Sequence, residues 1–524
     1  MAKPSSYWDK RAIRRLTDAE RQGEEYSKRI RKIYDQAYKN IQRDIEDIYR
    51  NYSKATGLDV QSLKTLLTKS ETDKLWKELK AKGLDKYIKE NYKARISRLE
   101  KIQAQIYAKA KEIYPKEQLE HTMCYEGVIN SSYYKTIYDT QMGTGLDFTF
   151  SKIDENMVSS LLTERWSGKN YSECIWGNTD TLGDDIAEII GGAMLSGQSV
   201  AKTSRQIRDR FGVAKYYADR LVRTEVNHFN NEADAMAYEE MDVDKYVFLA
   251  TLDTRTSTKC QEMDGEVIDL KDKQVGVNFP PLHPNCRSKT RAYMGEEIEK
   301  TLKRRARNPI TGKTEIIDNI SYKDWYDKQV KKYGKNAVDN TYKMVKNKAN
   351  DQKQYEKYKG VIGSKNLPDT LEKWQDLKYN NIEEYNLTKY NYKLRNEVKH
   401  NPENVVKSMT VAPEKYTKYL FDGNNEDGLV KGRLITDILG YDKTNYGEFD
   451  KLLKDNINSF PKRYKDTSKY GERYEVNMVL KGKKDRLAKV TVGLIKSGDE
   501  YKLTSAYIDE LKRSDLTYEK KRRA

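Results

Sequence analysis

Residues 223–225 read Arg-Thr-Glu, residues 251–257 read Thr-Leu-Asp-Thr-Arg-Thr-Ser, and residues 280–287 read Pro-Pro-Leu-His-Pro-Asn-Cys-Arg. Between the last two lie Cys260 and the dipeptide Asp264-Gly265. Two of the four cysteines of the chain fall in this stretch, and His283 lies three positions before the second of them. This collection of rare Cys, His and Pro residues predicts a loop that is held in one fixed shape.

Zinc is the first candidate for what holds the loop. Thiolate and imidazole groups are typical zinc ligands, and three are available: Cys260, His283 and Cys286. A CxxC pair would place the fourth ligand at position 257, where the chain has Ser257, a poor zinc ligand. Three residues could replace it: Asp253, Asp264 and His228. Two interpretations stay open, bound zinc or a loop packed around a neutral cysteine and histidine.

Charged residues of the same stretch give two further hypotheses. Arg223 and Glu225 are two positions apart on a predicted helix and therefore face different directions. They would form a buried ion-pair lattice that fixes the loop geometry with three others: Asp253, Arg255 and Arg287. The alternative is a metallohydrolase, with Glu225 as base, His283 as acid–base and zinc as Lewis acid.

Bulk composition limits the class of protein. A length of 524 residues predicts about three domains. The net charge of +17 favours a polyanionic neighbour such as nucleic acid. No apolar run approaches the ~20 residues of a membrane span, and residues 1–8 lack the apolar core of a signal peptide. Four scattered cysteines do not form a disulfide framework, so we expect a reducing cytoplasm, at least initially.

The first half of the chain has the spacing of helices. Apolar residues recur every three or four positions between residues 26 and 52, which predicts a long helix, and residues 1–150 are predicted to form an extended helical arm. Shorter helices follow to residue 241, with turns at Gly191-Gly192 and Gly197 and with Ser204 capping a helix that ends at Phe211. Residues 245–251 read as a buried strand.

The second half predicts a change of architecture. A basic helix at residues 300–307 leads into a helical region and a linker at Asn401-Pro402. Beyond it we expect a helix at 416–438 that ends at Gly440, then strands at 474–480, 487–495 and 501–507. The predicted fold class is α+β and multidomain, with a long helical N-terminal arm, a mostly α second domain with a small β and loop element, and a small α+β C-terminal domain. The expected domains are 1–150, 151–295, 296–402 and 403–524.

Taken together, these motifs resemble the phage Mu F-like head-morphogenesis domain of minor head proteins in tailed phages and prophages. The residues that carry the signature, with an expected structural role, are Arg223, Thr224, Glu225, Asp253, Arg255, Asp264, Gly265, Pro281 and Arg287. The arm that follows Tyr7-Trp8 and the segment 354–358 are similar to the same proteins of Gram-positive hosts. Many relatives carry Cys at the position of Ser257, so this chain departs from the family at one metal-ligand position and keeps the residues that carry the fold.

The resemblance implies a protein of the capsid interior near the portal. It would enter the head during assembly in the host cytoplasm, stay in the virion, and act in DNA packaging or ejection. The expected partners are the portal protein, scaffold or capsid proteins, and double-stranded DNA bound without sequence specificity. The basic run 303–307 would contact packaged DNA, with a solvated helix end as the alternative.

The C-terminal domain is similar to cargo domains at the ends of bacterial polymorphic toxins, through segments 416–421, 431–435, 438–441 and 503–507. A metal-independent ribonuclease would position and stabilise its substrate with Lys, Arg, Thr and Tyr side chains. The candidates in the matching segments are Lys431, Arg433, Thr504 and Tyr507, each with a surface salt bridge or strand pairing as the alternative role. Residues 403–524 contain no histidine, which excludes a His-pair ribonuclease. On this hypothesis the head domain delivers a toxic effector that has an immunity protein.

Overall fold

The computed structural model describes residues 5–55, 60–92, 96–144, 149–498 and 500–516. It divides into two compact units, residues 1–332 and 333–524. Long helices dominate the first unit and a four-stranded sheet lies in the second, so the predicted α+β multidomain fold class is confirmed. Within these ranges, no helix combines the length and the apolar character that a membrane crossing requires.

The first unit combines a helical core with short strands. Its helices are α1 Ser5–Ala55, α2 Val60–Lys64, α3 Lys69–Ala81, α4 Arg98–Lys111, α5 Ile113–Thr144, α6 Glu155–Thr163, α7 Tyr171–Leu195, α8 Val200–Glu240, α9 Thr258–Met263, α10 Glu296–Thr301 and α11 Tyr322–Tyr333. Its strands are β1 Lys245–Leu249, β2 Val267–Asp269, β3 Lys289–Ala292, β4 Lys303–Arg307 and β5 Thr314–Asp318.

Helix α1 is part of the main core of this unit. Its periodic residues Ile30, Ile41 and Ile45 are buried, which confirms the helix face read from the sequence. They belong to the same apolar cluster as Val222 and Phe229 of α8. Helix α1 buries its apolar face against α5 and α8, so residues on both sides of position 150 share this core.

Helix α8 runs unbroken for 41 residues. Its N-cap is Ser199, so the prediction of a cap at Ser204 and a helix end at Phe211 was wrong. The turn at Gly191-Gly192 was wrong too, since both residues lie inside α7, whereas Gly197 has a φ of 66° and does mark a turn. A side chain at Gly191 would lie 2.5 Å from Gln103 Nε2, so this glycine serves the packing of α4 against α7.

Two small antiparallel sheets extend the helical core. β1 lies between β2 and β3 and confirms the strand predicted at 245–251. β4 pairs with β5, so the helix predicted at 300–307 was wrong over its basic half. In β4 the side chains alternate between the interior and solvent: Arg304 and Ala306 face inward while Arg305 and Arg307 are exposed. That period of two is the spacing of a strand.

The second unit carries its sheet at the C-terminal end. Its helices are α12 Lys335–Ile362, α13 Leu371–Asn380, α14 Ile382–His400, a π-helical turn Tyr416–Leu420, α15 Glu426–Leu439, α16 Tyr446–Asn456 and α17 Arg513–Leu516. Its strands are β6 Lys462–Ser468, β7 Gly471–Lys481, β8 Leu487–Ser497 and β9 Glu500–Ile508, antiparallel in that order.

The C-terminal elements follow the prediction with two exceptions. β7, β8 and β9 confirm the three predicted strands, but β6 was not predicted. The helix expected at 416–438 is split into the π-helical turn and α15, which ends before Gly440 in the left-handed conformation, as predicted. α15 lies against the backbone of that turn because Gly428 and Gly432 carry no side chain. Tyr390 and Leu394 of α14 belong to the same core, so that core includes residues before position 403.

Candidate functional site

A buried carboxylate, Asp264, connects three elements beside the signature loop. Its side chain is fully buried and accepts hydrogen bonds from Arg304 Nη1 and Nη2, both at 2.8 Å. It also accepts from the backbone N–H groups of Ala250 at 2.6 Å and Tyr322 at 2.7 Å. The end of β1, β4 and the start of α11 are thereby held on one carboxyl group.

A second carboxylate, Asp253, fixes the loop that precedes α9. Arg287 donates to both of its oxygens, at 2.7 and 2.8 Å, and Arg255 lies 3.5 Å away. Burial opposes ionisation of Asp253, but the hydrogen bonds and charges of the two arginines outweigh it and lower its pKa. Thr251 Oγ1 donates to the carbonyl of Arg287 at 3.0 Å. Three of the five residues of the predicted ion-pair lattice, Asp253, Arg255 and Arg287, are therefore in contact.

The other signature residues lie around these two carboxylates. Thr224 Oγ1 accepts the N–H of Asn285 at 3.0 Å, which ties α8 to the loop. Gly265 has a φ of 89°, a conformation that a side chain would strain, and its N–H donates to Phe248. Pro281 lines a cavity against α7 and α8. These contacts agree with a structural role for the signature.

Arg223 and Glu225 do not join the lattice. The Arg223 side chain is more than half exposed and lies 3.8 Å from Glu24 of α1. Glu225 is buried and accepts from Trp166 Nε1 at 3.2 Å. Burial raises the pKa of Glu225 to about 7, although the hydrogen bond from Trp166 lowers it. Arg223 and Glu225 are two positions apart on α8, so their side chains face different directions, as predicted.

Cys260, His283 and Cys286 come together as one cluster. Their ligand atoms all lie within 4.8 Å of one another, and both cysteines are buried. The Sγ atoms are 3.7 Å apart, and Cys260 Sγ lies 3.4 Å from His283 Nε2. Ser257 Oγ lies 2.8 Å from the same nitrogen, so the residue that the CxxC spacing placed fourth does reach the cluster.

Protons are shared unequally in this cluster. A hydrogen bond from the Cys260 thiol lowers the pKa of Cys286, and the same hydrogen bond raises the pKa of Cys260. The hydrogen bond to Cys286 raises the pKa of His283. Nδ1 of His283 lies 2.9 Å from the carbonyl of Pro284. In the neutral imidazole, a proton on Nδ1 leaves the Nε2 lone pair facing the Cys260 sulfur.

These residues fit zinc. Tetrahedral zinc with bonds of about 2.3 Å to sulfur and about 2.0 Å to nitrogen separates its ligand atoms by about 3.5–3.8 Å, close to the distances in the cluster. The carbonyl at Nδ1 is the kind of outer contact that orients a zinc-bound histidine. None of the alternative fourth ligands belongs to this cluster within the described residues. Asp253 and Asp264 are bound by arginines, and His228 is stacked on Trp166.

A basic cavity of about 290 Å³ lies beside the Asp253 loop. Its lining includes eight basic and two acidic residues: Arg255, Arg287, Lys289, Arg291, Lys303, Arg304, Arg305 and Arg307, with Glu20 and Asp253. Arg291 is paired with Glu299, and Arg304 is held inside by Asp264. The basic run predicted as a DNA-facing helix is thus an edge of this cavity, and one of its arginines is structural.

The four catalytic candidates of the C-terminal domain do not form one cluster. Lys431 Nζ lies 3.4 Å from the hydroxyl of Tyr419 and 5.7 Å from the ring centroid of Tyr507. Arg433 is exposed on α15. Thr504 is three residues before Tyr507 on β9 and lies near Gly493 of β8. The structure therefore brings Lys431 and Tyr507 together and leaves the other two apart from them.

The sequence alone does not identify several residues of the site. Arg304 and Tyr322 complete the Asp264 site from outside the signature stretch. Trp166 contacts both Glu225 and His228. No local pattern marks these residues, because each acts across a long sequence separation; only the alternation of residues 302–307 would have indicated that Arg304 faces inward.

Comparison with known proteins assigns the two regions separately. Residues 184–291 match the family described as Phage Mu protein F like protein, which covers the second half of α7, α8 and the signature loop. Residues 402–510 match a domain of unknown function (DUF6883). Neither the curated proteins nor the solved structures contain a match to the chain.

Proposed function

Since residues 184–291 belong to the Phage Mu protein F like family, we propose that this phage head protein is a minor head protein that associates with the portal. It enters the head during assembly in the host cytoplasm, remains inside the capsid, and acts in DNA packaging or ejection. The observation that carries the proposal is the family match over residues 184–291. This range includes Asp253 and Asp264, the two carboxylates that arginine side chains hold in place.

A portal contact is the first part of the proposal. α5 presents Leu119 and Met123, which are 59% and 37% exposed and lie one helical turn apart. Large apolar side chains in water favour a protein contact, and helix packing on a groove of the portal would cover them. Scaffold or capsid proteins are further candidates for the same surface.

Co-expression with the portal protein of the same phage tests this contact. We expect the full chain to purify with the portal, and a Leu119→Glu/Met123→Glu variant to lose most of that association because it introduces charge into the interface. The matched control is Glu188→Gln on α7, an exposed change. Equal recovery of the portal with both variants would reject this surface, and no recovery with the parent chain would reject the contact.

Non-specific DNA binding is the second part. The basic cavity beside β4 offers exposed Arg305 and Arg307 to a phosphate backbone. Binding of this type weakens with salt in proportion to the number of phosphates neutralised. We expect Arg305→Gln/Arg307→Gln to lower the salt dependence by up to about two phosphate contacts.

The control for DNA binding is Lys202→Gln/Arg205→Gln, which removes two exposed charges at the start of α8. It should leave the slope of binding against salt nearly unchanged. Fluorescence anisotropy with two unrelated duplexes measures both. A slope that changes equally in the two variants would mean that net charge alone, and not the β4 surface, drives binding.

Zinc at Cys260, His283 and Cys286 is proposed as a structural clip of the signature loop, with Ser257 at the fourth position. The distances between their ligand atoms support it. Bound zinc would link α9 to the loop before β3 and supply rigidity. Zinc content of the purified protein tests the assignment.

A second candidate function is delivery of a C-terminal toxin that cleaves RNA and has an immunity protein. The contact of Lys431 with the ring of Tyr507 favours it, because a cation beside a phenol is able to hold a phosphate. Induced expression of the full chain in bacteria tests it by growth and RNA integrity. Rescue by Lys431→Ala supports the toxin, and intact RNA with normal growth in the parent chain rejects it.

A further inference from the structure

A cavity of about 770 Å³ lies between α7 and α8, and the head function proposed above assigns no ligand to it, although its lining includes Pro281 and His283 of the signature loop. The two helices form its long walls, and segments 166–169 and 275–284 line it as well. Much of the wall is apolar, through Ile175, Leu182, Ala214, Leu221 and Leu282. A cavity of this size holds a small molecule or an inserted side chain.

The first polar group of the cavity is Glu225. It is only 4% exposed, and the described residues provide one hydrogen-bond donor to it, Trp166 Nε1 at 3.2 Å. In the part of the chain that the structure describes, no cation offsets the cost of burying this carboxyl group, and burial raises its pKa to about 7. A buried carboxylate without a cationic partner is costly unless a ligand supplies one.

Glu117 is a second buried carboxyl group in the lining. Its Oε2 accepts the hydroxyl of Tyr34 at 2.7 Å. Its Oε1 is buried without a hydrogen-bond partner among the described residues, and His121 Nε2 lies 3.4 Å away outside hydrogen-bonding geometry. The cavity therefore has two buried carboxyl groups that accept fewer hydrogen bonds than they have lone pairs for.

The basic residues of the lining contact other lining residues or solvent, and His283 of the lining belongs to the cluster with Cys260 and Cys286. Arg210 lies 3.6 Å from Asp185, Arg220 lies over the ring of Tyr217, and Lys169 is exposed. A metal ion is a poor fit for the two carboxyl groups. Among the described residues, the group of three possible ligands within 4.8 Å of one another is Cys260, His283 and Cys286, and neither Glu117 nor Glu225 belongs to it.

We infer that this cavity binds an organic cation, a primary ammonium or guanidinium group on an unbranched aliphatic chain. The charged end would contact Glu225 and lie against the indole of Trp166, which also lines the cavity. The methylene chain would contact the apolar walls. The source is either a free polyamine or a Lys or Arg side chain of a partner protein.

Binding should depend on pH through Glu225. Trp166 donates to it, and the titratable groups that interact with it are Tyr171 and Cys174 of α7 and Tyr125 of α5. The lining of the cavity adds Lys169, Arg220 and His283, and His228 of α8 lies behind Trp166, on which it is stacked. Burial lowers the pKa of His228 to about 3, so it stays neutral between pH 6 and 8. A cation binds the ionised carboxylate, so affinity should fall about tenfold from pH 8 to pH 6.

Calorimetric titration of the full chain tests the inference with three probes: 1,5-diaminopentane, agmatine and N-acetyl-lysine amide. We expect binding at pH 8, a loss of at least tenfold in Glu225→Gln, and unchanged binding in the control Glu188→Gln. Preference for the free diamine or agmatine identifies a polyamine-type ligand, and preference for the lysine amide identifies a partner side chain. Thermal unfolding of each variant verifies that it is folded.

Three results would overturn the inference. They are equal affinity of Glu225→Gln and the parent chain, an affinity that does not change between pH 6 and 8, and the absence of binding by all three probes at pH 8. None of these results bears on portal association, which is measured with the co-expressed partner, so the two proposals fail independently.

Discussion

Replacing Arg304 with leucine should destabilise the signature loop more than any surface change nearby. Asp264 is fully buried and would keep two backbone donors while losing both guanidinium contacts. Arg304 also donates to the carbonyl groups of Ala250 and Ile320, at 2.6 and 2.9 Å, which would lose their donor. Removing one partner of a buried ion pair costs about 3–5 kcal/mol, and we expect Arg304→Leu to fall in that range.

Hydrogen–deuterium exchange read by mass spectrometry is the assay, because it reports local stability in a chain with two units. Faster exchange is expected in peptides that cover 248–266 and 302–326. The control is Arg305→Leu, an exposed neighbour on β4, with an expected cost below about 0.5 kcal/mol.

A double-mutant cycle with Asp264→Asn gives the sharper test. The double variant should cost about 1–3 kcal/mol less than the sum of the single variants, since the two side chains are in direct contact. Additive effects, or equal exchange in the Arg304 and Arg305 variants, would refute the assignment of Asp264 as the connection between β1, β4 and α11.

Three further predictions concern other parts of the chain. Glu225→Gln should stabilise the protein at pH 8 by about 3 kcal/mol and have little effect near pH 4. Burial raises the pKa of Glu225 to about 7, so the free energy of unfolding of the parent chain falls as the pH rises from about 4.5 to 7. Urea unfolding at both pH values measures this difference between variant and parent, and a difference that does not depend on pH would contradict it. Ser257→Cys should raise the zinc retained after dialysis against a weak chelator toward one per chain, because it completes a four-ligand site; elemental analysis that finds no zinc in this variant would remove the metal assignment. Gly432→Ala should destabilise the C-terminal sheet domain by about 1–3 kcal/mol, because its Cβ would lie 1.8 Å from the carbonyl oxygen of Leu420; Gly447→Ala, with open space around it, should be neutral or slightly stabilising by circular dichroism melts.

The sequence predicted most of what depends on local periodicity. The apolar spacing of α1 and the β-forming runs of β1 and of β7 to β9 are strong local patterns, and the structure has these elements where they are expected. The structure brings Cys260, His283 and Cys286 together, and a short turn after the histidine presents His283 and Cys286 on the same side; whether zinc is bound there stays a prediction.

The failures arise where distant contacts decide the structure. The sequence predicts a helix over residues 303–307, because nothing local shows that Arg304 pairs with a carboxylate 40 positions away. The sequence predicts a separate helix from Ser204 to Phe211 because serine is a good N-cap residue. In the structure, α8 continues through both positions. Glu225 lacks a cationic partner among the described residues because of the side chains that α7 and Trp166 place around it in the cavity. The sequence of α8 alone does not predict those neighbours.

Quantitative mass spectrometry of purified mature particles tests the central claim most directly. A portal-associated minor head protein should be present at low copy number in DNA-filled particles, and it should cross-link to the portal when intact particles are treated with a lysine-reactive reagent. Absence of the chain from particles that contain portal and capsid proteins in their normal proportions would contradict the account.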